Sequence, residues 1–296
     1  MALDTIQTFF RRPSDLNAHV EDRVFVSNEA AIFGVADAVS AAYSPLNPPK
    51  MANGFTSGQA VVNCLQDFYD PLGKDLEKSL LAANEVILYI QRTGFKKDPI
   101  NGDDVGGCSF MFCQILPDRV KFVYGGDCFA LVVGQDNSHE VLCGFDEAAY
   151  QKELEDIKSF AKHLEVAQGN KGKAWDLYWS EYTQKRLFCA NKNIGKGGYA
   201  TLNGDQAVEQ CWQTREILLK DLNLVLLGTD GMLPFSMTHP AERKHLGEVL
   251  LTMPCDGNWL ANICEWRDDI EKEDNDSAHL VGHPEASAIL LTFSPE

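Results

Sequence analysis

The chain has 296 residues, 45% of them hydrophobic, enough to bury a substantial core in one large domain or two small ones. Its formal net charge of −17, from 26 basic and 43 acidic residues, argues against nonspecific attraction to nucleic acid or an anionic membrane, since both want a basic surface. No stretch approaches the roughly 20 uninterrupted apolar residues of a membrane helix.

The N-terminus, MALDTIQTFFRRPSD, has no basic segment followed by an apolar core and does not read as a secretory signal. The nine cysteines form no CxxC pair and sit mostly in apolar contexts, so reduced thiols in a cytoplasmic protein are expected.

In chain order, residues 1–19 read as irregular, with Pro13 and a candidate cap at Ser14. Arg23–Ser27 alternates as a strand and turns at Asn28-Glu29 into Ala31–Val35, a first hairpin with Asp37 at its exit. Ser44–Gly54 is a Pro-rich loop. Thr56–Tyr69, capped by Thr56 or Ser57, and Gly73–Gln91 carry apolar residues at helical spacing, and Thr93–Gly107 is a polar loop. Cys108–Leu116, Val120–Tyr124, Cys128–Val133 and His139–Cys143 are short apolar runs between turn signals, read as an antiparallel meander.

Two helices follow, Glu147–Gln168 and Ala174–Phe188. The stripe Trp175, Tyr178, Trp179 and Tyr182 on the second is expected to be a packing face. Asn191–Asp205 is a loop whose GKGG lacks the frame of a phosphate-binding P-loop. Glu216–Leu219 and Leu222–Leu227 suggest a hairpin across Lys220-Asp221. Ala241–Leu251 and Trp259–Ile270 read as helices, Asp268–Asp276 as a solvated acidic run, and Ala288–Phe293 as a closing buried strand. Two groups of strands with helical pairs between them imply an α+β fold, a β-sandwich covered by helices.

The run NLVLLGTDGM (Asn223–Met232) ends a buried strand on a turn that presents Asp230. Ala31–Ser40 places Asp37 at the end of an apolar run, and Gly125-Gly126-Asp127 separates two others. Each Asp taken alone reads as a turn residue. Taken together, and with the acidic pair Glu21-Asp22 upstream, they suggest carboxylates converging on a hard divalent cation. The seven histidines form no HxH or HExxH pattern, and the most suggestive, His283, adjoins Pro284-Glu285.

These motifs, in this order over most of the chain, resemble the metal-dependent serine/threonine protein phosphatases of the PPM or type 2C family, in a divergent bacterial form. The segments carrying the resemblance are VEDRVFVSNEAAIFGVADAVS, GGCSFMFCQILPDRVKFVYGGDCFALVV, VLLGTDGM and HPEASAILLTF. It implies a four-layer αββα sandwich as a single domain over 1–296, with a helical insert at about 147–188, and a centre of two Mn²⁺ or Mg²⁺ ions, a third more weakly held, between the sheets. It also implies hydrolysis of phosphoserine or phosphothreonine in proteins by a metal-activated water.

Carried over by position, Asp37 bridges the metals and Asp230 binds one of them, the pair taken as catalytic. Ala38 offers its carbonyl, Glu21 a further contact, Asp127 a hold on the third ion, and Asp22 supports from behind. The sequence departs from the family pattern at four places. Asp37-Ala38 stands for Asp-Gly, and Pro284-Glu285 for the terminal acidic pair, so that Glu285 has to substitute as ligand. Asp274 and Asp276 lie near enough in sequence to reach in. Asn17 stands where a phosphate-binding arginine is usual, leaving Arg11, Arg12 or Arg23 to supply charge, and Val39 where many members have histidine. The departures raise an alternative, a catalytically impaired member kept as a binding or regulatory module. The residues alone also fit an unrelated α+β protein whose aspartates only make turns.

Overall fold

The computed structural model describes residues 2–12, 19–40, 50–68, 75–234, 237, 239–253, 257–273 and 285–294. Expectations at Pro13, Ser14, Asn17, Cys255, Asp274, Asp276, His279, His283 and Pro284 fall outside these residues, as does 41–49 of the Pro-rich loop.

The central strands are buried almost throughout, their side chains alternating between two apolar layers. One sheet runs β2 (Arg23–Ser27), β3 (Ile32–Val39), β4 (Gly107–Ile115), β5 (Arg119–Gly125) and β8 (Gln213–Leu218) in that spatial order. The other runs β1 (Ala2–Arg11), β10 (Ala286–Ser294), β9 (Leu222–Gly228), β6 (Phe129–Gly134) and β7 (His139–Cys143). All pairings are antiparallel.

Between the sheets, Phe33, Val35, Met111, Phe122, Ala130, Val225, Leu227, Ile289 and Leu291 form one core. The outer face of the first sheet buries Phe25, Ala36, Phe110 and Phe112 against α1 (Ser57–Phe68) and α2 (Leu76–Ile90). The outer face of the second buries Phe129, Leu131, Leu226 and Leu290 against α6 (Arg243–Thr252) and α7 (Trp259–Glu273). The result is the expected αββα sandwich, because each sheet is apolar on both faces and needs a layer on each. Among the described residues no helix is long and apolar enough to cross a membrane, and the eight cysteines there are free.

Several expectations are corrected. Residues 2–11 are not irregular. They pair along β10, with Leu3 and Ile6 against the inter-sheet core and Phe9 against the α6–α7 layer, and a register shift between Leu3 and Thr5 blurs the alternation. The four central strands are not one meander, because the chain changes sheet after β5 at Gly125-Gly126-Asp127. Gly126 takes φ +74° there, and a side chain at this position would collide with Ser109.

The supposed hairpin at Lys220-Asp221 is a second crossing of the same kind. Leu219 and Leu222 both bury in the inter-sheet core across a 3₁₀ turn, so β8 and β9 join different sheets. The acidic run is helical as far as Glu273, since α7 continues through it, and Asp268 pairs with Arg11 at 2.8 Å. A short helix α5 (Val208–Cys211) lies in a stretch where none was expected.

Between β7 and β8 stands a helical hairpin, α3 (Glu147–Val166) and α4 (Lys171–Cys189). Asp146 and Asn170 cap the two helices through their side chains. Buried Arg186 ties α4 to the sandwich through Asp104 at 3.2 Å and the Val105 carbonyl.

Candidate metal centre

At one end of the sandwich the inter-sheet positions stop being apolar. On β3 the sequence Phe33, Val35 continues to Asp37, and on β9 Val225, Leu227 continues to Thr229. On β4, Met111 gives way to Ser109, and on β10, Ile289 gives way to Ser287. Asp37 faces Ser109 in the ladder, and the β2–β3 register that pairs Arg23 with Ala36 brings Asp22 opposite Asp37. Asp37 therefore lies within β3 rather than past its exit, since the strand runs on to Val39.

The structure gathers four carboxyl groups here. Asp37 sits within side-chain hydrogen-bonding reach of both Asp22 and Asp230. Asp127 lies close enough that the charge of Asp230 acts on it. Burial raises Asp22 and Asp37 well above the usual carboxylate range, and the neighbouring carboxylates push both further. Burial and the charge of Asp230 push Asp127 up to about 7. The charges acting most strongly on these three residues are all negative.

Hydroxyl groups that the sequence reading passed over fix the carboxyls in place. Thr229 donates to Asp22 Oδ2 at 2.8 Å and accepts from Ser287 N at 3.0 Å, joining β9, β10 and the start of β2. The signal for Thr229 was its place inside GTDG. Gly231 is needed because a Cβ there would collide with the Glu285 carbonyl oxygen, so glycine lets the Thr-Asp-Gly turn lie against β10.

Glu21 stands beside this cluster. Its Oε1 accepts from Ser40 Oγ at 2.5 Å and Thr56 Oγ1 at 2.6 Å, and its Oε2 from Ser40 N at 3.1 Å. Thr56 is the cap of α1 and trades bonds with Gln59, Gln59 N to Thr56 Oγ1 at 3.2 Å and Thr56 N to Gln59 Oε1 at 3.1 Å. Glu21 thus rests at a helix N-terminus, where negative charge is favoured. Even so, burial leaves its carboxyl raised. Glu285 Oε2 accepts from Glu21 N at 2.8 Å, while its Oε1 is buried without a partner. Ala38 buries its methyl among the residues packed under α1 and α2.

Of the arginines considered for phosphate, Arg11 is taken by Asp268. Arg23 donates to the Asp22 carbonyl at 2.9 Å and to Asn63 at 3.3 Å, which sets its guanidinium beside the cluster. Val39 is exposed.

Among the described residues no three His, Cys, Asp or Glu side chains are arranged to chelate one ion. The chemistry of the donor set nonetheless fits hard cations. All the donors are oxygens, the cluster carries surplus negative charge, and buried Asp127 Oδ1 and Glu285 Oε1 have no hydrogen-bond partner.

No protein-family model matches the sequence, and no curated protein matches it. Solved structures do match the fold. The serine/threonine phosphatase Stp1 of Staphylococcus aureus aligns with 100% of this chain and 96% of its own at 12% identity and a TM-score of 0.57. The serine/threonine phosphatase PstP/Ppp of Mycobacterium tuberculosis aligns over 99% and 100% at 12% identity, TM-score 0.53. The PstP catalytic domain in complex with two manganese ions aligns over 98% and 97% at 15% identity, TM-score 0.50. The chain thus carries the αββα fold of the bacterial PPM-type serine/threonine phosphatases, as its motifs led one to expect.

Proposed function

We propose that the protein is a Mn²⁺- or Mg²⁺-dependent phosphatase acting on phosphoserine or phosphothreonine in proteins. The observation that carries this reading is the gathering of Asp22, Asp37, Asp127 and Asp230 at the mouth of the sandwich, Asp22 buried and the others half-buried, with only negative charge acting strongly on the first three. Like charges buried side by side call either for shared protons or for cations. The fold match to a phosphatase crystallised with two manganese ions favours the cations.

In this reading Asp37 and Asp230 are the central ligands, from opposite sheets, with Asp127 and Asp22 completing the oxygen set. Glu21, Glu285 and the Ala38 carbonyl border it. A bound pair of such ions supplies charge neutralisation for a phosphoryl group and a more acidic water. Thr229 orients Asp22, while Ser40 and Thr56 hold Glu21. Arg23, tied to the Asp22 carbonyl, adds positive charge near an incoming phosphate. The test is Mn²⁺-dependent hydrolysis of p-nitrophenyl phosphate and of phosphopeptides. Activity that survives both EDTA and Asp37→Asn counts against the reading.

A second reading, a phosphatase fold kept as a binding module, draws support from the carboxylates of Glu21 and Glu285. Both oxygens of Glu21 are engaged by hydroxyls or a backbone N–H group, and one oxygen of Glu285 by the Glu21 N–H, which leaves Glu285 Oε1 as the single unengaged oxygen of the two side chains. Calorimetry with Mn²⁺ separates the two, since two tight sites favour the enzyme and silence favours the module.

A further inference from the structure

The aromatic stripe of α4 does more than pack. With α3 it lines a half-open cavity of about 250 Å³, smaller than the roughly 300 Å³ at which pockets for drug-sized ligands begin and suited to a single side chain. Phe160, Trp175, Tyr178 and Tyr182 present its rings, and Glu153 and Asp156 its carboxyls. The Trp175 centroid lies 4.6 Å from Phe160, 5.8 Å from Tyr178 and 5.7 Å from Tyr182, and the Tyr182 plane stands at 78° to that of Trp175.

Such a lining attracts an organic cation through ring faces and carboxylate at once. Asp156 is already neutralised by Lys185, which also reaches Glu181 at 3.3 Å. Glu153, by contrast, makes no ion pair among the described residues, and burial with neighbouring negative charge pushes it up to about 8. Exposed Lys171 lines the cavity, and Lys185 and Arg186 lie 5.7 and 5.9 Å from the ring centroids of Tyr178 and Tyr182, which leaves Phe160 and Trp175 as the rings to meet a further cation. The negative charges of Asp127 and Asp230 also act on Glu153.

We infer that the α3–α4 hairpin holds a site for the guanidinium group of an arginine on the polypeptide substrate whose phosphate the candidate centre takes. Arginine suits it better than lysine, because a planar guanidinium stacks on rings while its fork meets a carboxylate. The word substrate rests on the phosphatase reading; the cation site does not.

Two measurements on the full chain keep these apart. Calorimetry without metal compares an unphosphorylated arginine peptide with the same peptide carrying neutral citrulline. The arginine peptide is expected to bind ~10-fold or more tightly than its citrulline twin, as a charge-assisted contact to a carboxylate predicts. Glu153→Gln abolishes that difference, and Lys171→Ala tightens arginine binding. Equal affinity for the two peptides, or discrimination that persists in Glu153→Gln of unchanged thermal stability, overturns the site. Ethylguanidinium binding as tightly as the peptide overturns the polypeptide assignment.

The second measurement is Mn²⁺-dependent hydrolysis of the matching phosphopeptides. Here kcat/KM is expected to favour arginine in wild type and not in Glu153→Gln, while p-nitrophenyl phosphate turnover stays unchanged in that variant. Hydrolysis without arginine preference overturns the inference and leaves the phosphatase reading standing. Arginine-selective binding with no hydrolysis of any phosphopeptide does the reverse.

Discussion

At the scale of single residues, the candidate centre is a set of carboxyls that the fold holds at a cost in stability. Asp127 is raised from 3.8 to about 7, so between those values the folded chain binds a proton that the unfolded chain has released. The contribution is favourable below the unfolded value and disappears as pH rises through the folded one. Without metal, stability should therefore fall across that window by a few kcal/mol. Urea titrations of wild type and Asp127→Asn should show the difference between them growing with pH, the variant being the more stable at the alkaline end. A difference that stays flat with pH contradicts the assignment.

Thr229 has the opposite sign, since its hydroxyl satisfies a buried carboxyl. Thr229→Val removes the bond to Asp22 and the acceptor for Ser287 N, and should cost about 1.5–3 kcal/mol in urea unfolding. A loss within the error of the wild-type measurement means the hydroxyl carries no such load.

Among the elements, the decisive features are the places where strands end and change sheet. The turn after β9 lies against the backbone that leads into β10, which is why residue 231 has no side chain to offer. Gly231→Ala forces the turn away from Glu285 and drags Asp230 with it. We expect Mn²⁺ affinity to fall by an order of magnitude or more, while far-UV circular dichroism keeps the sandwich signature, because the displacement is local to a turn. Unchanged Mn²⁺ binding in a folded variant would show that the turn does not position Asp230.

The whole molecule is a scaffold whose two sheets each bring part of one polar end. Asp37 and, just before β2, Asp22 come with the first sheet, while Ser287 on β10 and Thr229 and Asp230 in the turn after β9 come with the second. Cations bound between the sheets act only on the folded arrangement and should stabilise it by mass action. At Mn²⁺ one-hundred-fold above its dissociation constant the gain is about 2.7 kcal/mol for one site, and it should be lost in Asp37→Asn. Calorimetric scans with and without EDTA measure it. A transition temperature indifferent to Mn²⁺ in wild type leaves the binding-module reading as the better one.

Read from residues alone, the chain already declared that Asp37, Asp127 and Asp230 stand at the ends of apolar runs. It also declared that α1, α2, α3 and α4 are helices, because both signals are local: a period of hydrophobicity and the residue that interrupts it. The edge strand β1 escaped notice, since a shifted register in a half-exposed strand leaves little alternation to detect. Sheet membership escaped for a different reason. Leu219 and Leu222 look like the two arms of a hairpin, and only the layer across from them decides that the chain passes between sheets. The same holds for the centre. The sequence named its acids, but which oxygens meet which hydroxyls, Asp22 with Thr229 and Glu21 with Ser40 and Thr56, depends on segments up to 207 residues apart. Contacts at that separation are made by packing two sheets face to face, and no local pattern of residues encodes them.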